Sequence, residues 1–198
     1  MTSKVIAIVG SYRKGGVVEH AVEAVLEGAR QKGAQTQLIR LTEKHIAFCT
    51  NCRQCCQTPG PVRGQCTQQD DLAPLLAEID SADALLLASS INYGNVTAIF
   101  RCFLERLIGC AYWPWGQATP KARSAWRPRR AVFVAASGMP GFLIPLLTGT
   151  GHAMKTMARM LGAKPVGNLW IGLAAMEQNH ALGARTLKRA QRLGMRLV

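Results

Sequence analysis

The sequence predicts an α/β fold, a five-stranded parallel sheet with helices on both faces. Five short runs rich in apolar and β-branched residues recur along the chain, at 4–9, 35–41, 84–89, 131–136 and 165–171. Between most of them, and after the last, apolar residues repeat at helical spacing. Several of the runs are apolar throughout rather than alternating, as strands covered on both faces are.

The first run, KVIAIV, is followed at once by Gly10. Val17, Val18, Ala21, Val22, Val25, Leu26 and Ala29 then form a helical stripe with Glu19, Glu23 and Glu27 off it, and Gly33 ends the helix. The stretch 42–70 has no clear period and holds most of the cysteines and a Pro59-Gly60-Pro61 turn. Asp70 or Asp71 is placed to cap a helix carrying Leu72, Leu75, Leu76 and Ile79. Val96, Ile99, Phe100, Phe103, Leu104 and Leu107 make a second strong stripe. The segment 111–128 is irregular and rich in Trp, Pro and basic residues. The stretch 143–161 reads as mostly helical, with Pro145 near its start where proline is tolerated, and 177–197 as the last helix. With no repeat, low-complexity tract or linker, one domain is expected to cover 1–198.

At 48% hydrophobic residues the chain is not disordered by composition, and no apolar run is long enough to span a bilayer. The first residues lead directly into a strand with no secretory signal ahead of it, so a cytoplasmic protein is expected. In that compartment the seven cysteines are expected as thiols, metal ligands or redox groups rather than disulfides, with Cys102 and Cys110 in the core. The net charge of +13 suits nucleic acid, acidic proteins or phosphorylated cofactors, but no nucleic-acid recognition motif accompanies it, and nucleic acid is not expected as a partner. Arg185, Lys188, Arg189, Arg192 and Arg196 recur at helical spacing and read as a solvated helix face.

Open parallel sheets bind ligands at the carboxyl ends of their strands, where the strand order reverses. That directs attention to the loops after the first, third and fourth strands. The first, Gly10-Ser11-Tyr12-Arg13-Lys14-Gly15-Gly16, opens onto a helix, so backbone N–H groups, the helix terminus, Ser11, Arg13 and Lys14 suit an anion. It has neither the dinucleotide fingerprint nor the Walker spacing, and the plainer alternative is an ordinary turn with surface charge. The second, Ser90-Ile91-Asn92-Tyr93-Gly94-Asn95-Val96-Thr97, offers an aromatic to stack on a flat ring and polar groups to meet its edge. Alternatively, Tyr93 packs locally and Asn95 or Thr97 caps the next helix. The third, Ser137-Gly138-Met139-Pro140-Gly141, is small enough for close backbone approach to a ligand.

Gly10-Ser11-Tyr12-Arg13, then Cys49, Cys52, Cys55 and Cys66 before Asp70-Asp71, then Ser90 to Gly94 and Arg101-Cys102-Phe103-Leu104-Glu105-Arg106 follow one another in this order. In these motifs the chain resembles the NADPH-dependent FMN reductase family of flavodoxin-like proteins, and its iron–sulfur flavoprotein branch in particular. The resemblance implies a flavodoxin-like fold, FMN as cofactor, NAD(P)H as co-substrate, a small electron acceptor such as a quinone or a free flavin, and a homo-oligomer, dimer or tetramer. It implies that Ser11, Arg13, Gly15, Gly16, Val17 and Val18 meet the phosphate. Ser90, Asn92, Tyr93, Gly94, Asn95, Ser137 and Gly138 would then meet the ring. Gly16-Val17-Val18 stand where the family often has Ser-Asn-Thr, and Ser90 and Asn92 where it has Pro and Tyr. Hydride transfer needs no acid–base side chain, so no catalytic residue is assigned.

The cysteine segment has three readings. Cys49, Cys52 and Cys55 at Cys-x2-Cys-x2-Cys spacing, closed by Cys66 or by the adjacent Cys56, suit a [4Fe–4S] cluster. Zinc would lack a second spaced pair, and His45 is the only nearby histidine. In the third reading the thiols are free, packed or redox-active. Three functions follow: an FMN-dependent NAD(P)H oxidoreductase, an iron–sulfur electron-transfer protein docking an acidic donor protein, or a cofactor-free basic regulatory domain. Trp113, Trp115 and Trp126 would cover the flavin, grip a phosphorylated nicotinamide, or form a packed excursion or oligomer contact.

Overall fold

The computed structural model describes residues 2–123, 129–176 and 181–198. Along the chain run β1 (Lys4–Val9), α1 (Val17–Arg30), β2 (Gln35–Arg40), α2 (Leu72–Asp80), β3 (Ala84–Asn92), β4 (Asn95–Val96) and α3 (Ala98–Arg106). They are followed by β5 (Ala111–Tyr112), β6 (Lys121–Ala122), β7 (Arg129–Ala136), α4 (Ile144–Leu147), α5 (Thr150–Met160), β8 (Ala163–Ile171) and α6 (Ala184–Met195). The main sheet has the order β2-β1-β3-β7-β8 with every neighbouring pair parallel. The chain steps from β1 outward to β2 and then crosses back to β3, so the order reverses between β1 and β3, the switch point where ligands collect.

The inner strands are apolar throughout because both of their faces are covered. Val5, Ala7, Val9, Leu86, Val132 and Val134 pack against one helical layer, which includes Val22, Val25 and Leu26 of α1 and Ala190 and Leu193 of α6. Ile6, Ile8, Leu85, Leu87 and Phe133 alternate with them and face Leu75, Phe100, Phe103, Met154 and Met157 of α2, α3 and α5. The α1–α6 contact is close because two glycines make it so. A Cβ on Gly28 would lie 2.0 Å from the Gln191 carbonyl oxygen, and one on Gly194 1.8 Å from that of Val25. Gly28→Ala is therefore expected to push α6 outward and lower stability by about 2 kcal/mol, the middle of the range for overpacked interiors. Urea denaturation checks it, and an unchanged midpoint would show that the two helices can separate at no cost.

The five strands fall where the sequence placed them, three of them longer by two or three residues. The expected helix at 143–161 is instead two, α4 and α5, because Thr148 is extended (φ −129°, ψ 151°). Its hydroxyl donates to the Ile144 carbonyl at 2.7 Å, satisfying a terminal acceptor of the short helix. The last helix starts at Ala184 rather than 177, and 177–180 lie outside the described residues. The antiparallel pieces β4 on β3 and β5 with β6 are additions to the expected pattern. Cys102 and Cys110 are buried, and the basic residues of the last helix are exposed, as expected. Among the described residues no helix is long and apolar enough to cross a membrane.

Candidate functional site

At the carboxyl ends of the strands, a cavity of about 430 Å³ opens between the last residues of β3 and the loops that follow β1, β7 and β8. Residues 10–16 form one wall, and three links pin them to β3 and α3. The Gly10 N–H donates to the Ala88 carbonyl at 2.8 Å. The Thr97 hydroxyl donates to the Gly10 carbonyl and accepts the Phe100 N–H at 3.4 Å, which makes Thr97 the N-cap of α3. Ser11 Oγ and Ser90 Oγ lie 3.0 Å apart, joining the first and second loops across the switch point. Tyr12 leans the same way, its hydroxyl accepting the Ile99 N–H at 3.2 Å.

The anion-binding capacity of this wall resides in α1. Gly16 is its N-cap and supplies no side-chain cap, and the first helical bond runs from the His20 N–H to the Gly16 carbonyl at 3.0 Å. The N–H groups of Val17 and Val18 thus have no acceptor within the helix and sit at its positive end. Gly16, Val17 and Val18 line the cavity with Ser11, Tyr12 and Arg13. Gly15 does not. Its N–H donates to Glu19 Oε2 at 2.8 Å, and the Gly16 N–H turns back to the Arg13 carbonyl at 3.3 Å. Burial pushes the Glu19 carboxyl up, but the Arg40 guanidinium and the Gly15 N–H hold it lower still. Glu19 therefore stays ionised, paired with Arg40 at 2.7 Å, and fixes the shape of the turn.

On the opposite wall stand Ser90, Asn92, Ser137 and Gly138. Tyr93, Gly94 and Asn95 were expected there and do not line the cavity. Positive φ at Tyr93 (48°) and Gly94 (74°) makes them the tight turn of the β3–β4 hairpin, which leaves Tyr93 fully exposed. Asn95 Oδ1 accepts the Val96 N–H at 2.9 Å. The Ser137 N–H is already given to Ile171 at 2.9 Å, and its hydroxyl accepts the Met139 N–H at 3.2 Å. Ile91, Ala136, Ala174 and Ala175 complete the lining. The last two follow the fifth strand, a loop the sequence reading did not consider; their smallness beside Gly172 was the available signal.

The cysteine segment is shaped by Arg53. Arg53 adopts left-handed backbone (φ 56°), and its guanidinium is sandwiched between Trp113 and Trp115, 3.8 and 4.3 Å from their ring centroids. It also donates to the carbonyls of Trp113 and Pro114 at 2.8 and 3.0 Å, while the Trp113 N–H returns to the Cys56 carbonyl at 2.9 Å. This clasp turns the chain between Cys52 and Cys55. Cys52 is exposed beside Thr67, its thiol lowered by the Gln54 N–H. Cys55 faces inward, its thiol pushed up to about 12 by burial and by nearby Cys56, Cys66 and Cys49. Cys49 Sγ is 3.9 Å from Asn51 Oδ1, and Cys66 Sγ accepts from Arg106 Nη2 at 3.3 Å. Among the described residues no group of three or more His, Cys, Asp or Glu side chains is arranged to hold a metal ion. Cys49, Cys56 and Cys66 lie close enough to Cys55 to act on its thiol, while Cys52 points to the surface beside Thr67. The tryptophan segment packs on the cysteine segment, and neither Trp113 nor Trp115 lines the cavity. Trp126 lies outside the described residues.

Comparison with known proteins agrees with this geometry. The profile of the NADPH-dependent FMN reductase family matches residues 3–176. An iron-sulfur flavoprotein of Archaeoglobus fulgidus is 28% identical over 200 residues, covering 98% of this chain and 78% of that protein. Further relatives of the same name match over 103 to 107 residues, and those matches span about half of each relative. Among solved structures, an FMN-dependent NADH-azoreductase from Bacillus anthracis in complex with FMN superposes with a TM-score of 0.70 at 12% identity, covering 98% of this chain and 99% of that one. An NAD(P)H:quinone oxidoreductase from Methanothermobacter marburgensis superposes with a TM-score of 0.65 at 18% identity, each chain fully covered. At these identities the superpositions establish the shared flavodoxin-like fold.

Proposed function

The chain belongs to the NADPH-dependent FMN reductase family of oxidoreductases, and from that premise we propose that residues 1–198 act as one domain holding FMN in the cavity beside α1. There it passes electrons from NAD(P)H to a small acceptor such as a quinone or a free flavin. The observation that carries this reading is the uncapped amino end of α1, open to a cavity whose far wall is built from small residues. FMN supplies the hydride chemistry when bound. The chain's own residues bind and orient it. Ser11, Arg13, Gly16, Val17 and Val18 take the phosphate, with Gly15 acting through Glu19 to hold the turn. Ser90, Asn92, Ser137 and Gly138 meet the ring.

Tyr93, Gly94 and Asn95 contribute from beyond the lining, at a rim the protein leaves strongly apolar. Tyr93, Phe142, Leu146, Leu147 and Met176 are all exposed and all follow carboxyl ends of strands. An apolar rim of this kind suits a second copy of the chain closing over the flavin, and a homo-oligomer is part of the proposal. The cysteine segment enters as free thiols, with Cys56 buried and Cys52 exposed. The test is to load the protein with FMN, exclude oxygen and add NADPH or NADH. The flavin's visible band is expected to bleach and to return on adding a quinone; no bleaching with either nucleotide overturns the proposal. Stoichiometric iron and acid-labile sulfide in anaerobically purified protein would favour the electron-transfer reading, with an acidic donor protein docking on the +13 chain.

A further inference from the structure

A second and larger cavity, about 1360 Å³, lies on the α2 and α5 side of the sheet and shares no lining residue with the first. It reaches the amino ends of the strands, where Arg129 opens β7 and Gly162 precedes β8, whereas the flavin cavity occupies the carboxyl ends. Its apolar part is made by Val62, Leu72, Leu76, Met160 and Leu161. Five arginines, Arg63, Arg106, Arg123, Arg129 and Arg159, and two aspartates, Asp70 and Asp80, also line it.

The pairing inside the cavity is incomplete. Asp70 takes Arg106, and Asp80 is shared between Arg63 and Arg129. Arg123 gives its donors to the carbonyls of Cys55, Gly60, Gly109 and Ala111. Arg159, exposed at the end of α5, has no acidic partner among the described residues. The Nε atoms of Arg106 and Arg129 are buried without an acceptor there, although the Arg106 side chain is only 1% exposed. These two atoms are closed off from solvent, so the guanidinium left open to a ligand is that of Arg159.

We infer that this cavity is a binding site for an anion with an apolar body, an aromatic or acyl carboxylate. A carboxylate matches the planar guanidinium fork, which Arg159 presents with no acidic partner among the described residues, in a cavity lined by five arginines against two aspartates. The apolar part, formed by side chains of the 62–76 and 160–161 segments, has no use for a bare inorganic anion and suits a ring or a chain.

Calorimetric titration of the FMN-loaded full chain with 2-naphthoate and with decanoate, beside 2-naphthalenemethanol and decanol, tests the assignment. At least one acid is expected to saturate at one per chain and to bind at least about tenfold more tightly than its alcohol, a difference typical of one charge-assisted contact. The tighter acid identifies the body as ring or chain. Arg159→Glu and Val62→Glu alter exposed positions on the cavity, so the fold should hold. Either is expected to weaken the acid about tenfold, and Arg159→Lys to retain it. The inference is overturned if neither acid binds, if an alcohol binds equally well, or if both glutamate variants bind like the parent. It is equally overturned if added FMN displaces the acid, which would put the acid in the flavin cavity.

Discussion

Asp70→Ala is expected to lower the stability of the fold by about 3–5 kcal/mol at neutral pH, the usual consequence of leaving one member of a buried ion pair alone. The Asp70 and Arg106 side chains are 2% and 1% exposed, and Arg106 has no other ion pair among the described residues. The pair also ties the cysteine segment down. Arg106 donates to the Ala47 carbonyl and to Cys66 Sγ, while Asp70 accepts the N–H groups of Ala47 and Leu72, each at 3.0 Å. Burial pushes the Asp70 carboxyl up, but the Arg106 hydrogen bond and those two N–H groups together hold it below its ordinary value. The sign follows directly. A carboxyl whose folded value is depressed stabilises the fold above its unfolded value, about 4, and loses that contribution as pH falls through the lower folded value. The gap between parent and Asp70→Ala is therefore expected to be widest at pH 7 and to shrink as pH falls below about 4. Urea midpoints of both proteins at several pH values measure it, and a gap that stays constant with pH would show that the pair's charge contributes nothing.

This pair also marks the boundary of what the sequence discloses. Asp70, Asp71 and Arg106 all fall in motifs matched by their order along the chain, and a helix cap at 70 or 71 was readable because capping is local. The structure divides the work: Asp70 takes the Leu72 N–H of α2, and Asp71 takes the His45 N–H at 2.7 Å. That Arg106 closes on Asp70 from 36 positions away has no local signature. The same distinction holds elsewhere. The inner strands are legible because burial on both faces writes an unbroken apolar run. The break at Thr148 is not, since 143–161 keeps enough helical spacing for its apolar residues to read as one stripe. The cysteine spacing is legible, but the turn at Arg53 between Cys52 and Cys55 depends on rings sixty residues away, which spacing does not reveal. Tyr93 was read as a stacking aromatic from its neighbours, and its position was decided by the two-residue turn it shares with Gly94.

Gly10→Ala is expected to strip the protein of FMN while leaving most of the fold in place. A Cβ at this position would lie 2.7 and 2.8 Å from Cβ and Cδ2 of Phe100, and 3.1 Å from the Thr97 hydroxyl. Phe100 is fully buried in the α3 layer and cannot retreat, so the strain falls on the loop. The loop is held by the Thr97 contact to the Gly10 carbonyl and by the Gly10 N–H to Ala88, and both must lengthen if it moves. Ser11 and Arg13 then shift relative to the open N–H groups of Val17 and Val18, which α1 keeps fixed. Losing two charge-assisted contacts to a phosphate, at about 1.5 kcal/mol or more each, weakens binding on the order of a hundredfold. Flavin fluorescence titration reads the affinity, and far-ultraviolet circular dichroism reports whether the sheet and helices persist. Gly15→Asn is the matching control. Gly15 has φ 67°, a conformation asparagine tolerates, and a Cβ there would meet nothing within 4 Å. Its N–H still reaches Glu19, so FMN is expected to bind within about threefold of the parent, a change well under the 1.4 kcal/mol of a tenfold step. If the two glycine variants lose FMN equally, loop flexibility rather than the Phe100 contact governs the site. If neither loses it, FMN does not depend on this turn, and the phosphate assignment to the amino end of α1 falls with it.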